Sequence, residues 1–161
     1  MDYQFPSKPG TYALIFQNNA LTYIQAGSLG WLVVEPDWYI YVGSAFGPGG
    51  LQGRLMHHLN DRPRRWHVDA LKSAAPIHSI WFTTHPRRLE HAWAQAWMDL
   101  PGITVPWKGF GSSDCRCQSH LFRSFHEPDR HLFEDRLQKL YPGHRQDRPS
   151  SQIFVHKAAR L

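Results

Sequence analysis

An extended, mostly apolar run follows Gly10. In the segment TYALIF, residues 11–16, successive side chains fall on opposite faces, and this period of two predicts a β-strand. The Asn-Asn pair at 18–19 then marks a turn, and the run LTYIQAG at 21–27 predicts a second strand that pairs with the first as a hairpin. The sequence therefore predicts antiparallel pairing at this end of the sheet.

A second apolar run, WYIYVG at 38–43, predicts another strand whose tyrosines face one side and whose isoleucine and valine face the other. Glycines between 47 and 50 end this strand. Leucines then recur at every fourth position from 51 to 59, which is the spacing of a helix. Arg54 and His58 stand one turn apart beside the leucine stripe, on the same side of the predicted helix.

The rest of the chain alternates between helical and extended patterns. It predicts a short helix at 66–74, a strand at 77–84, a helix opened by Pro86, a strand at 119–125 and a last helix opened by Pro128 and Asp129. Glu90 lies near the start of the helix after Pro86, off its buried stripe. The predicted fold class is α+β, a small and mainly antiparallel sheet of three or more strands with helices packed around it.

The chain of 161 residues is long enough for one domain with its own core. Residues 1–141 are interpreted as that single domain. Beyond Pro142 the chain turns polar and basic, so residues 142–161 are interpreted as a flexible, solvated tail, with a docking arm for a polyanion as the alternative. The apolar tripeptide IFV at 153–155 leaves open that this part docks back onto the body.

Charge narrows the choice of partner. Lys and Arg number 18 against 13 acidic residues, a formal charge of +5 at pH 7, which is compatible with nucleic acid as a partner. No basic region followed by an apolar run opens the sequence, and no apolar stretch approaches the roughly 20 residues of a membrane span. The two cysteines are two positions apart, which suits a reducing compartment. We therefore expect a cytoplasmic protein with no membrane partner.

An ordered set of short motifs gives the chain a family resemblance. The set comprises GTY at 10–12, YVG at 41–43, Arg54 in the next helix and Glu90 in a later one. Each residue alone would be an ordinary strand or helix residue, but in this order the chain resembles the GIY-YIG nuclease family over about residues 10–125. It looks similar to the Uri-type branch through the segments YIYVGSA, GGL, RWHVD and GFGSSDCRCQSHLF.

The resemblance implies a metal-dependent endonuclease that hydrolyses phosphodiester bonds of DNA and leaves 3′-hydroxyl and 5′-phosphate ends. It carries catalytic roles onto Tyr12, Tyr41, Arg54, His58, His67 and Glu90. Glu90 matches the family's lone metal-binding carboxylate, so the expected cofactor is Mg²⁺ or Mn²⁺.

Phosphodiester hydrolysis has uses for these residue types. The phosphate gains charge in the transition state, and the planar fork of Arg54 suits a non-bridging oxygen better than lysine does. Glu90 offers a hard oxygen ligand for Mg²⁺, which keeps most of its waters and takes a phosphate oxygen. Tyr12 or Tyr41 would orient the attacking water, but a free phenol titrates near about 10 and needs assistance to accept a proton. Which tyrosine is the base stays open, with a histidine, the arginine or the metal assisting.

The segment DCRCQSH at 114–120 carries a second candidate site. Cys115, Cys117 and His120 are three soft ligands, whereas structural zinc takes four. The fourth is open among His126 and the histidines at 57, 67, 78, 85 and 91. The alternatives are a packed loop beside the active site and a pair of redox-sensitive thiols.

The glycine-rich loop GFGSSD at 109–114 is a third feature. Backbone N–H groups of such a loop and the Asp114 carboxylate can approach phosphate or the water shell of a metal ion. The alternative is a turn in which Asp114, Ser112 and Ser113 cap the backbone.

Basic residues predict how nucleic acid is held. Phosphate contacts are expected from Arg62, Arg64, Arg65 and Arg116, with Arg87, Arg88 and Arg123 as further candidates. DNA is the expected partner, RNA is an open alternative, and a homodimer is one of the open oligomeric states. The competing functions are a non-catalytic nucleic-acid-binding module of the same fold and a zinc-stabilised interaction domain.

Overall fold

The computed structural model describes residues 4–60, 66–112, 115–143 and 152–158. Its strands are β1 (Gly10–Gln17), β2 (Thr22–Gln25), β3 (Trp31–Val34), β4 (Trp38–Ala45), β5 (Ile77–Thr83), β6 (Ile103–Thr104), β7 (Leu121–Ser124) and β8 (Phe154–Lys157). Its helices are α1 (Gly50–Leu59), α2 (His67–Ala74), α3 (Glu90–Met98) and α4 (Arg130–Leu140). In these ranges, every helix is too short or too polar to traverse a bilayer.

The main sheet runs in the order β6-β7-β4-β1-β5-β8, and its paired strands are antiparallel. β1 pairs along its whole length with β4 and on its other edge with β5. The shorter strands β2 and β3 form a separate two-stranded sheet. An antiparallel sheet flanked by helices confirms the predicted α+β fold class.

Helices cover both faces of the main sheet, so both faces are buried. On one face Tyr41 packs in a core with Leu55 of α1 and with α2. On the other face Val42 packs in a core with Trp93 of α3 and Phe133 of α4. The predicted separation of the tyrosines of β4 from its Ile and Val is confirmed, and the tyrosine face proves to be a core of its own.

The predicted hairpin between the first two extended runs is wrong. β2 pairs with β3, whereas β1 pairs with β4 and β5. The buried amide of Asn18 donates to the carbonyl oxygens of Ala20, Val34 and Glu35, and so ties the open end of the β2–β3 ribbon, where Thr22 pairs with Val34, to the end of β1. Asn18 thus stabilises the contact between β1 and the ribbon and does not form a hairpin turn. The two-residue periodicity of a strand does not specify which other strand that strand pairs with.

Helix α3 begins at Glu90, and the prediction that Pro86 opens it is wrong. The preceding segment is fixed by side chains instead. Leu89 N–H donates to Thr11 Oγ1 over 3.0 Å, and Arg87 N–H donates to the His85 ring over 3.1 Å. Glu90 therefore becomes the first helical residue, where the partial positive charge of the helix end favours a carboxylate.

The interpretation of the C-terminal segment as a solvated tail is wrong for residues 154–157. They form β8 and pair with β5, so the alternative that the IFV segment docks onto the body is the one observed. Ile153 is buried, and the rings of Phe154 and Phe82 stack with centroids 5.3 Å apart. Residues 144–151 and 159–161 of the predicted tail lie outside the described residues, and the domain boundary after residue 141 stays a prediction.

Candidate functional site

A cleft of about 520 Å³ opens where β4, α1, α2, α3 and the loop between β6 and β7 meet. Four of the predicted catalytic residues line it: Tyr41, Arg54, His67 and Glu90. The other lining residues are Gly43, Ser44, Phe46, Gly47, Trp66, Arg88, His91, Gly111, Cys115 and His120. One strand and three helices, β4, α1, α2 and α3, therefore each contribute one predicted site residue to the same cleft.

Tyr12 and His58 lie behind the cleft rather than in its wall. Both side chains are completely buried, and Tyr12 OH and His58 Nε2 are 2.7 Å apart. Arg54 Nε donates to the same tyrosine hydroxyl over 3.3 Å. The three residues form a hydrogen-bonded chain from the core to the cleft, and this chain holds Arg54 in position.

Arg54 is also held by its flat face. Its Cζ lies 4.1 Å from the centre of the Trp66 ring, a cation–π arrangement. The hydrogen bond to Tyr12 uses Nε, so that bond does not occupy the two terminal nitrogens. A guanidinium fixed in this way can offer its terminal N–H groups to an anion without first losing much side-chain freedom.

Two glycines make room for the two motif tyrosines. A Cβ atom at Gly43 would lie 2.4 Å from the Tyr12 hydroxyl oxygen, because Gly43 is the residue opposite Tyr12 on the paired strand. A Cβ atom at Gly111 would lie 2.8 Å from Cε2 of Tyr41, and Gly111 also has a left-handed φ of +69°. Neither phenol keeps its position if its glycine acquires a side chain.

Glu90 is partly withdrawn into the cleft, with 15% of its side chain exposed. Its Oε1 lies 3.9 Å from Arg88 Nη1 and 3.6 Å from His91 Nε2. Arg88 is 58% exposed, so its ion pair with Glu90 is weak and leaves the carboxylate accessible. Among the described residues that line the cleft, Glu90 is the single carboxylate.

His67 faces the cleft from the first turn of α2. Asp69 caps this helix by accepting a hydrogen bond from Trp66 N–H over 3.1 Å, which fixes the start of the helix. The Nδ1 atom of His67 accepts a hydrogen bond from Gly111 N–H over 3.3 Å. A neutral imidazole that accepts at Nδ1 carries its proton on Nε2, so His67 offers a hydrogen-bond donor rather than a base.

Burial makes both motif phenols weak acids. Loss of solvent raises the pKa of Tyr12 and of Tyr41, and the positive charge of Arg54 opposes this rise without reversing it. Both hydroxyls are therefore protonated at neutral pH unless further positive charge enters the cleft. Of the two, Tyr41 lines the cleft and Tyr12 does not.

His58 is neutral in the folded protein. Burial, followed by the positive charge of Arg54, lowers the pKa of His58 to about 3. Lys72 and His57 add smaller effects in the same direction, and Asp69 opposes them. Among the described residues, no hydrogen-bond partner is present for the buried Nδ1 atom of His58, so no acceptor is in place for a second ring proton.

We expect this histidine to make folding stability depend on pH. An unfolded histidine titrates near about 6.5, so below that pH the unfolded chain takes up a proton that the folded protein excludes until about pH 3. The free energy of unfolding should therefore fall as pH falls through this window, by at most about 1.4 kcal/mol per pH unit from this group.

Urea unfolding of the wild type and of His58→Gln, at pH values between about 7.5 and 4.5, measures this contribution. As pH falls, the unfolding free energy of the wild type should fall more steeply than that of His58→Gln. The wild type should therefore lose stability steadily relative to the variant. His126→Gln, at an exposed position, is the matched control and should keep the pH dependence of the wild type. A difference between wild type and His58→Gln that is constant across the range would contradict the expectation.

A second cluster lies against the same cleft. Cys115, Cys117, His120 and His91 each offer a ligand atom, and these atoms all lie within 4.8 Å of one another. The Sγ atom of Cys115 is 3.3 Å from His120 Nε2. Burial, together with the neighbouring Cys115 thiol, raises the pKa of Cys117 to about 11. His91 of α3, rather than His126, is the histidine that joins the three sequence neighbours.

The site lies within a range shared with other proteins. The model of the family described as a domain of unknown function, DUF123, matches residues 11–141. The chain belongs to the DUF123 family. No curated protein and no solved structure matches the chain. All residues that line the cleft fall inside the matched range, so the cleft is part of the DUF123 domain.

The arginines predicted to contact nucleic acid have different surroundings in this DUF123 chain. Arg62, Arg64 and Arg65 lie outside the described residues, as do Ser113 and Asp114. Arg87, Arg88 and Arg116 are exposed, and Arg88 lines the cleft. Arg123 instead binds the carboxylates of Asp37 and Glu35, so its charge is already paired within the protein.

Three residues of the DUF123 site were absent from the predicted catalytic set. Trp66 covers the guanidinium of Arg54, His91 joins the cysteine cluster, and Gly111 accommodates Tyr41. His91 was one of six histidines left open as a fourth ligand, and its position directly after Glu90 is the sequence signal that favours it. Trp66 contacts Arg54 and Gly111 contacts Tyr41 only after distant segments come together in the fold, so the local sequence pattern does not predict these contacts.

Proposed function

We propose that this DUF123 chain is a divalent-metal-dependent endonuclease that hydrolyses phosphodiester bonds of DNA, as its resemblance to GIY-YIG nucleases of the Uri type implies. The observation that carries the proposal is that Tyr41, Arg54, His67 and Glu90 line one cleft although they come from separate elements. Ordinary structural roles give no reason for a phenol, a guanidinium, an imidazole and a carboxylate to gather on one accessible wall.

Arg54 is proposed to bind a non-bridging phosphate oxygen and to neutralise the charge that develops there. Its Nε bond to Tyr12 and its stacking on Trp66 support this role, because both fix the guanidinium before the substrate arrives. His58 contributes indirectly by holding the Tyr12 hydroxyl. In this proposal Tyr12 and His58 are positioning residues.

Glu90 is proposed to hold the divalent ion. A single carboxylate in a polar cleft suits Mg²⁺ or Mn²⁺, which accept water and phosphate oxygens as their other ligands. When bound, such an ion supplies positive charge that stabilises the phosphate and the leaving oxygen. Because the chain offers few ligands here, we expect Glu90 to hold the ion weakly until substrate phosphate is present.

Tyr41 is proposed to orient the attacking water. It lines the cleft, whereas the Tyr12 hydroxyl is buried and already bound by Arg54 and His58. Its proton is released only when positive charge in the cleft offsets the effect of burial on its pKa. His67, with its proton on Nε2, is proposed to donate a hydrogen bond to the phosphate or to the leaving oxygen.

The substrate is proposed to be DNA held through its phosphates. Exposed Arg88 and Arg116 lie at or near the cleft, and the chain has a formal charge of +5. Contacts of this kind set affinity and salt dependence without reading the base sequence. RNA is the alternative that the substrate panel below decides.

The experiment is cleavage of a labelled panel of duplex, single-stranded, flap and junction DNA and of RNA, with Mg²⁺, with Mn²⁺ or with no added divalent ion. We expect cleavage of at least one DNA substrate that depends on the added ion and yields 3′-hydroxyl and 5′-phosphate ends. Folded protein that binds DNA but cuts nothing on the panel would favour the non-catalytic binding module. Cleavage restricted to RNA would correct the substrate.

A further inference from the structure

We propose that His91, Cys115, Cys117 and His120 bind one zinc ion, in a site separate from the carboxylate proposed for Mg²⁺. Each of the four residues contributes one ligand atom to a group in which the largest separation is 4.8 Å. Three of the ligands come from the loop between β6 and β7, and the fourth comes from the first turn of α3. The zinc therefore joins two segments that are not neighbours in sequence.

The ligand types select the metal. Two thiols and two imidazoles form the donor set of structural zinc sites, whereas Mg²⁺ takes oxygen ligands. Zinc–sulfur bonds of about 2.3 Å and zinc–nitrogen bonds of about 2.0 Å, at tetrahedral angles, place ligand atoms roughly 3.3 to 3.8 Å apart. The distance of 3.3 Å between Cys115 Sγ and His120 Nε2 is already within about 0.2 Å of the separation that these bond lengths give for one sulfur and one nitrogen ligand. His91 is the most exposed member of the cluster, so its side chain has room to rotate as the ligand atoms close around a metal ion.

The backbone around the cluster is held independently of the metal. His120 N–H donates to Phe110 O over 2.8 Å, and Val42 N–H donates to His120 O over 2.9 Å. Gly109 N–H donates to Gln118 O over 2.7 Å, which closes the base of the loop. His120 is thus fixed to β4, and the loop returns both cysteines to the same side as His91.

The site is structural rather than catalytic, because four protein ligands complete a tetrahedral shell and leave no position for water or substrate. The zinc site affects the cleft because each of the two segments that it joins carries a residue of the cleft wall. The loop carries Gly111, which contacts Tyr41 and His67, and α3 carries Glu90. Zinc at this position would hold two walls of the cleft at a fixed separation.

The full chain, prepared under reducing conditions and stripped of metal, should bind one zinc per chain. Titration with Co²⁺ gives a direct readout, because cobalt bound to thiolates in a tetrahedral site has characteristic absorption in the visible and near-ultraviolet. Both cysteines of the chain belong to the cluster, so a thiolate–cobalt band reports on this site alone. Zinc added afterwards should displace the cobalt and abolish the spectrum.

Four single variants and the wild type are then compared for zinc content and for zinc affinity. We expect Cys117→Ser and His91→Ala to weaken zinc binding by at least about 100-fold. His126→Ala is the matched control, because His126 was an alternative fourth ligand by sequence but is outside the cluster, and it should bind zinc like the wild type. Glu90→Gln should also keep its zinc, which separates this site from the proposed nuclease centre.

The wild-type titration does not depend on whether any variant folds. If folded, reduced wild-type protein binds neither Co²⁺ nor Zn²⁺ with a thiolate signature, the proposal is overturned. It is also overturned if His91→Ala folds and binds zinc as tightly as the wild type. These readouts are independent of DNA cleavage, so the zinc site stands or fails separately from the proposed function.

Discussion

Replacing Arg54 with lysine is expected to lower the single-turnover rate of DNA cleavage about 100- to 1,000-fold while the fold is retained. Lysine keeps the positive charge but has no Nε–H to donate to Tyr12 and no planar group to stack on Trp66. The ammonium also binds phosphate as a point charge rather than as a fork with two donors. The loss should therefore appear in the chemical step more than in DNA binding.

Single-turnover rates and DNA affinity measured on the same preparations separate these effects. Arg130→Lys is the matched control, since Arg130 lies on α4, outside the cleft lining, in an ion pair with Glu134. It should cleave at the wild-type rate. If Arg54→Lys cleaves within about threefold of the wild type, the fixed guanidinium is not what stabilises the transition state.

Replacing Gly43 with alanine is expected to lower the free energy of unfolding by about 1 to 3 kcal/mol. The new methyl group would lie 2.4 Å from the hydroxyl oxygen of Tyr12 and 2.5 Å from its Cζ, so the buried ring must move. That movement also displaces the hydroxyl that holds Arg54, so cleavage should fall together with stability. Denaturant unfolding measures the first effect.

Gly47→Ala provides the comparison, because a Cβ at Gly47 meets no atom within 4 Å and that glycine has no left-handed φ. Its effect should stay within about 0.5 kcal/mol. In a Tyr12→Leu background the cost of Gly43→Ala should shrink, because the ring that blocks the methyl group is gone. Equal stability of Gly43→Ala and wild type would contradict the close packing of Tyr12 on this strand.

Local periodicity predicted most of the elements but not their partners. The separation of Tyr41 from Val42 onto opposite faces follows from the two-residue repeat and is observed. The buried side chain of Asn18 binds carbonyl groups next to the start of β2 and at the end of β3, and so fixes the open end of the β2–β3 ribbon. Likewise, the apolar residues of β8 are compatible with a strand, but the segment forms one because it pairs with the edge of β5. Such contacts between distant segments are not written in the local pattern.

The sequence predicted the residues of the candidate site, but it did not predict which of them are buried and which line the cleft. The ordered motifs named Tyr12 and Tyr41 as equivalent, whereas the fold buries Tyr12 behind Arg54 and brings Tyr41 to the cleft. This difference arises because α1 lies over β1 and covers the Tyr12 ring, which the sequence of either element alone does not reveal. The fourth member of the cysteine cluster, His91, likewise depends on how α3 meets the loop.

The most direct measurement is DNA cleavage by zinc-loaded wild type and Glu90→Gln, with Mg²⁺ present or omitted. Omission is preferable to a chelator, because a chelator would also remove zinc from the cysteine cluster. Glu134→Gln, on α4 and outside the cleft, is the control for loss of one negative charge. We expect wild type and control to cut only with Mg²⁺, and Glu90→Gln to be slower by at least about 100-fold while it still binds DNA. Mg²⁺-independent cutting by the wild type, or wild-type rates in Glu90→Gln, would contradict the account.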